Sequence, residues 1–130
     1  MPLIHIYLQE NRSDNELKAI GDGIHEALME TWGIPKDDRF HLFHKMEKQH
    51  FDMKPNMWGV ERSDDLLVLH ITTSPRSKEM KLAFYKRLPE ILYEKLAMRP
   101  EDIFISINCN SKEDWSFGNG KAQLLEDISN

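Results

Sequence analysis

The chain has 130 residues, 40% hydrophobic and 30% charged, with a formal net charge of −5. That balance fits one globular domain, or two small halves sharing a core, and excludes a disordered segment. Interspersed acidic and basic residues exclude the clustered basic footprint of a nucleic-acid binder. No apolar run reaches the roughly 20 residues of a membrane span, and no secretory leader is read at the start. The single cysteine, Cys109, excludes a disulfide framework and points to a reducing compartment, the cytoplasm by default.

In chain order, Met1 is followed by Pro2 and then by an apolar run, residues 3–8, that reads as a strand. A small residue at position two lets the initiator be trimmed. Pro2 would then begin the mature chain with a secondary amine, able to take up and release a proton. With Met1 retained, the same nitrogen is an amide without basicity. Ser13 stands three residues before Glu16, the spacing of a capping box, and Leu17, Ile20, Ile24, Leu28 and Trp32 follow as one helical stripe. Gly33 and Pro35 stop that helix, and residues 40–46 resume an extended pattern.

The second half repeats the first. Residues 66–72 read as a strand, Ser77 as a helix cap, and Met80, Phe84, Leu88, Ile91, Leu92 and Leu96 as a second stripe. Pro100 is expected to end the segment, Pro89 to kink it, and residues 103–109 to form the closing strand. Aligning Arg12-Ser13 with Arg76-Ser77 also brings Ala19 onto Ala83, Leu28 onto Leu92 and Phe40 onto Phe104. This is an internal repeat, spanning 2–46 and 66–109, with a linker at 47–65 and a C-terminal segment at 110–130, all within a single domain, 1–130. The linker reads as a loop pinned down by its own Phe51, Met53, Met57 and Trp58, in preference to a substrate lid.

Each half is strand, helix, strand, so the fold class is α/β (α+β): two β-α-β units, right-handed crossovers, and a four-stranded sheet with both helices on one face. Nearly continuous apolar strands suggest that both sheet faces are buried. Two helices cover only one face, so a homo-oligomer is expected to cover the other.

The segment Asp114-Trp115-Ser116-Phe117-Gly118-Asn119-Gly120 is too specific for a generic loop. Together with Pro2, the paired units and Thr73-Ser74-Pro75-Arg76-Ser77, it resembles the tautomerase superfamily, and within it the malonate semialdehyde decarboxylase group, over essentially the whole chain. The resemblance implies a homotrimer with a trimmed N-terminal proline in each pocket. It places Pro2 as the catalytic proline, Asp38 as the acidic residue before the second strand, and Arg76 as the second arginine of an Arg-Pro-Arg element. Trp115 and Phe117 match the aromatic pocket wall. The first arginine of that element is Ser74 here, which puts decarboxylation of a 3-oxo acid in doubt.

Apolar walls and a nearby cation both disfavour an ammonium, lowering its pKa toward the working range. A neutral Pro2 could then move a proton on a small 2-oxo acid or its enol, with Arg76 holding the carboxylate by its planar fork. Arg76 read without the motif is a surface arginine. Asp38 could orient a water or the carbonyl, or be part of a plain polar turn, and Arg12, equivalent to Arg76 in the first repeat, could serve a neighbouring subunit. Two further readings stay open. One is a decarboxylase or hydratase of a small 3-oxo or unsaturated acid; the other is a non-catalytic trimeric binding module. Neither a cofactor nor a metal is expected, since the six histidines lack the converging spacing of a zinc site. Cys109 reads as a core thiol, and Gly118-Asn119-Gly120 as a turn, not a nucleotide loop.

Overall fold

The computed structural model describes residues 1–53 and 56–126. Positions 54 and 55 of the expected linker and 127–130 of the expected C-terminal segment lie outside the described residues. The main elements are β1 (Pro2–Gln9), α1 (Asp14–Trp32), β2 (Phe40–Met46), β3 (Leu67–Thr73), α2 (Lys78–Leu96) and β4 (Ile103–Cys109). Both helices begin where local chemistry says they should. Ser13 Oγ accepts from the Glu16 amide at 3.2 Å while Glu16 accepts from the Ser13 amide at 3.0 Å, closing a capping box. Ser77 Oγ accepts from the Met80 amide at 3.1 Å. Gly33 ends α1 in the left-handed region at φ 67°, where glycine has no steric penalty.

Several boundaries differ from expectation, the first strand being one residue longer at each end. The third strand is shifted by one residue, with buried Leu66 preceding the ladder. Helix α2 ends at Leu96, because Ala97 turns left-handed at φ 51°, so Pro100 does not set its end. Pro89 lies inside this helix.

The sheet order is β2-β1-β3-β4. Outer strands pair parallel with their inner neighbours, as a crossover unit requires, and the two units join through antiparallel β1 and β3. The repeat holds in three dimensions: its alignment puts Asp14 on Lys78 and Trp32 on Leu96, the ends of two helices of 19 residues each. The helices bury both predicted stripes on Ile4, Ile6 and Leu8 of β1 and Leu67, Leu69 and Ile71 of β3. Gly23 permits the helices to meet, since a Cβ there would lie 2.8 Å from Leu92 Cδ2.

The opposite sheet face is half-buried and mixed, not apolar. Phe40 and Leu42 are 46% and 47% exposed there. Beside them His5 Nδ1 and His44 Nε2 share a hydrogen bond of 2.8 Å, and the Asn108 amide lies 2.9 Å from His70 Nε2. Of the linker residues expected to pin it, Phe51 and Met53 are half-buried, whereas Trp58 is 91% exposed and Met57 55%. Polar ties also hold it. Buried Asp102 accepts from the Ser63 amide and hydroxyl, each at 2.6 Å, and Arg99 donates to the Glu61 carbonyl at 3.0 Å.

His41, on the helix side of β2, is pushed down to about 4 by burial first and then by the Arg39 and His25 charges. His5 is lowered as well, by burial and then by His44 and His70. The folded chain therefore binds fewer protons than the unfolded one as pH falls below the ordinary histidine value, so stability rises with pH through that window and is lost on acidification. From pH 7 to pH 5, His41 accounts for about 1–2 kcal/mol of lost stability once its partial exposure is allowed for. Urea denaturation at fixed protein concentration should show that loss in the wild type and a shallower one in His41→Gln; an equal acid slope in both would contradict the assignment.

Candidate active site

The sheet pairing assembles one end of the molecule. Antiparallel pairing sets Pro2 opposite Thr73, parallel pairing sets Leu3 beside Phe40, and Thr73 lies beside Cys109. The start of β1, the turn before β2, the loop after β3 and the segment after β4 therefore meet at a single edge.

Pro2 is buried at the head of β1. The Met1 amine just ahead of it lies 3.6 Å from Asp38 Oδ2. Asp38 is held there by the turn that residues 34–38 were expected to make, its amide donating to the Pro35 carbonyl at 3.0 Å. Its other oxygen, Oδ1, is buried with no hydrogen-bond partner among the described residues. That turn is also tied back to α1, whose buried His25 donates from Nε2 to the Lys36 carbonyl at 2.7 Å. The Met1 amine is pulled below the ordinary α-amino value, mainly by burial; Asp38 opposes the shift and Arg76 adds to it.

Arg76 is not a free surface arginine. Its Nε donates to Thr73 Oγ1 at 3.1 Å, its Nη2 to Ser74 Oγ at 3.3 Å, and its Cζ lies 5.1 Å from the centre of the Trp32 ring. Burial lowers its pKa, while Asp38 and then Cys109 act in the other direction.

A cleft of about 300 Å3 is lined by Met1, Pro2, Leu3, Phe40, Trp115, Ser116 and Phe117. Trp115 is fixed by donating from Nε1 to Asn110 Oδ1 at 2.6 Å, and Asn110 is fixed by its amide on the Thr73 carbonyl. Phe117 is anchored through its amide on Gln123. The two rings lie 5.7 Å apart and form a wall.

Thus the structure gathers Pro2, Asp38, Arg76, Trp115 and Phe117. Arg12 lies at the other end of β1, bonded to Glu16 and the Asp65 carbonyl, so within one subunit it is remote from them. Cys109 is exposed, contrary to the core thiol expected, because it ends an edge strand. Among the described residues no group of three His, Cys, Asp or Glu is placed to hold a metal, and no helix is long and apolar enough to cross a membrane.

Sequence reasoning missed Phe40 as a cleft wall and Trp32, Thr73 and Ser74 as neighbours of the arginine. Pairing β2 parallel to β1 would have exposed Phe40. Trp32 closes an apolar stripe and gives no separate signal.

Models of tautomerase enzymes match residues 38–118 and 2–62. The chain is 38% identical over 127 residues to Probable tautomerase YusQ of Bacillus subtilis (strain 168), covering 97% of this chain and all of the relative. It is 34% identical to Probable tautomerase YrdN of the same organism, covering 96% and 97%. Among solved structures, malonate semialdehyde decarboxylase, described with decarboxylase and hydratase activities, superposes with a TM-score of 0.89 at 31% identity, over 95% of each chain. A second malonate semialdehyde decarboxylase, inhibited by 3-bromopropiolate, gives 0.85 at 34% identity, over 93% of this chain and 92% of that one. A fused 4-OT described as an asymmetric trimer shares the fold, with a TM-score of 0.74 at 19% identity, over 95% and 98%. With its paired β-α-β units and whole-length likeness to these relatives, the chain belongs to the tautomerase superfamily and is an enzyme of the tautomerase type.

Proposed function

We propose that removal of Met1 frees the Pro2 nitrogen, which then serves as the proton carrier of a cofactor-independent tautomerase acting on small 2-oxo acids and their enols. The observation that carries this reading is the Met1 amine itself. A basic nitrogen at the head of β1 is desolvated, lies beside a carboxylate and feels the charge of a guanidinium, and its ammonium form is disfavoured.

In the proposed reaction, neutral Pro2 accepts a proton from the carbon beside the ketone. The C–H electron pair becomes the C=C bond and the carbonyl oxygen takes the negative charge. Pro2 returns the proton to that oxygen, giving the enol, and ketonisation is the reverse. Arg76 holds the substrate carboxylate, the Asp38 carboxylate steadies the ammonium that Pro2 becomes, and Trp115 and Phe117 exclude water from the reacting carbon.

A second reading is decarboxylation or hydration of a small 3-oxo or unsaturated acid. It is favoured by the unpartnered Asp38 Oδ1, able to accept a proton from a water, and by likeness to malonate semialdehyde decarboxylases. Ser74 counts against it, for it leaves one guanidinium in the loop after β3.

We also infer that the enzyme is a homotrimer in the cytoplasm. The uncovered sheet face, with Phe40 and Leu42 near half exposure, needs a partner, and a fused 4-OT of the same fold is described as a trimer.

Three measurements test these readings. On protein whose mass shows Met1 removed, Pro2→Ala should lower kcat/KM for phenylenolpyruvate ketonisation by about 100-fold; unchanged turnover would remove Pro2 from the mechanism. The rise of kcat/KM with pH should have its midpoint below that of a free amino terminus. Asp38→Asn should move that midpoint down and Arg76→Ala should move it up, each by about half to one pH unit, because a carboxylate favours the ammonium and a guanidinium opposes it; shifts of the same sign would refute the arrangement. Sedimentation should give three chains per particle at micromolar concentration, and a stable monomer would leave the open face unexplained.

A further inference from the structure

We propose that Thr73, Ser74 and Trp32 are positioning residues that hold the Arg76 guanidinium so that it meets substrate by its end edge alone. This rests on the reading of Arg76 as the carboxylate holder and goes beyond it in assigning what orients that group.

A guanidinium has two edges that can grip a carboxylate with parallel hydrogen bonds: the side edge, Nε with Nη2, and the end edge, Nη1 with Nη2. In this chain the side edge is already taken, by Thr73 Oγ1 at 3.1 Å on Nε and Ser74 Oγ at 3.3 Å on Nη2. One face is taken by the Trp32 ring, 5.1 Å from Cζ. The remaining donors are Nη1 and the outer hydrogen of Nη2, which together form the end edge.

Two of the three supports, Thr73 and Trp32, are buried. Thr73 is fully buried in the last ladder position of β3 opposite Pro2, and Ser74 follows it directly. Trp32 is 5% exposed, donates from Nε1 to the Met80 carbonyl in the first turn of α2 at 2.9 Å, and lies tilted against the Phe84 ring, 5.3 Å between centres. The element that anchors the tryptophan is thus the helix that begins just after Arg76. Ser74 accordingly does more than fill the place of a cation: its hydroxyl helps to aim the cation that remains. An arginine so fixed loses little rotamer freedom when a carboxylate arrives, which favours acid over neutral substrate at the binding step.

The test compares phenylenolpyruvate with its methyl ester, which keeps the enol and lacks the charge. In the wild type the acid should have a KM at least tenfold below that of the ester, and Arg76→Ala should erase the difference. The double variant Thr73→Val/Ser74→Ala should raise KM for the acid about 5–30-fold while kcat for either substrate and KM for the ester move less than twofold. In an Arg76→Ala background the same pair of changes should have no further effect on KM for the acid. Trp32→Phe, which keeps an aromatic face, should retain more of the discrimination than Trp32→Leu; should either fail to fold, the hydroxyl variants decide the matter. Equal losses for acid and ester, or losses that persist without Arg76, would overturn the proposal. Because the readout is discrimination at binding, it stands apart from whether Pro2 moves the proton, which Pro2→Ala reports. If the wild type does not turn over the enol, the same comparison is made by calorimetry with 3-phenylpropionate and its methyl ester, with the same outcomes deciding.

Discussion

The antiparallel pairing of β1 with β3, which faces Pro2 with Thr73, is the contact on which the site depends. Within each half the strands are parallel, and a parallel unit alone puts its strand starts at one end of the sheet and its strand finishes at the other. Joining two such halves head to tail brings the starts of β1 and β2 together with the finishes of β3 and β4. Had β1 and β3 paired parallel, Pro2 and the loop bearing Arg76 would stand about 23 Å apart, the length of the seven-residue β3. No side chain spans that distance.

Around that junction, burial sets the electrostatics. Desolvation is the largest influence on the Met1 amine, His41 and Arg76 alike, ahead of any single charged neighbour. The same packing that makes the core therefore also sets the proton affinities at the edge. The two opposite charges there act against each other, Asp38 the more strongly: Asp38 favours a charged amine, Arg76 disfavours it, and both are held by backbone that the core has already fixed. The Asp38 turn hangs from His25 in α1, and Arg76 lies on Trp32 from the same helix. One helix thus supports both charges from below.

Much of this was legible in the sequence where the signal is local. Helix starts at Ser13 and Ser77 and the stop at Gly33 follow from hydrogen bonds within four residues, and the repeat fixed both helices relative to each other. The aromatic wall was found through its motif. What failed was long-range. Cys109 sits in an apolar pattern, yet at the last position of an edge strand that pattern does not mean burial. Trp58 looked like an anchor, whereas Ser63 on Asp102 does the anchoring, a pairing that no spacing rule suggests. The open face read as apolar until register put His5, His44 and His70 side by side. Trp32 belongs to a helical stripe, and only the packing of α1 against α2 shows that its outer face is spent on a guanidinium.

The duplication has a consequence for stoichiometry. Under the alignment of the two halves, Pro2 corresponds to Leu66 and Arg76 to Arg12, so each chain holds a second, inverted copy of the same corner. At that copy the backbone is threaded: Leu66 is preceded by Asp65, and its nitrogen is an amide for as long as residues 47–65 join the halves. A polypeptide has one amino terminus, and doubling the scaffold cannot double it. If Pro2 is the proton carrier, each chain can hold only one such centre, and the repeated corner is left to architectural duties, as the Arg12 contacts with Glu16 and Asp65 illustrate.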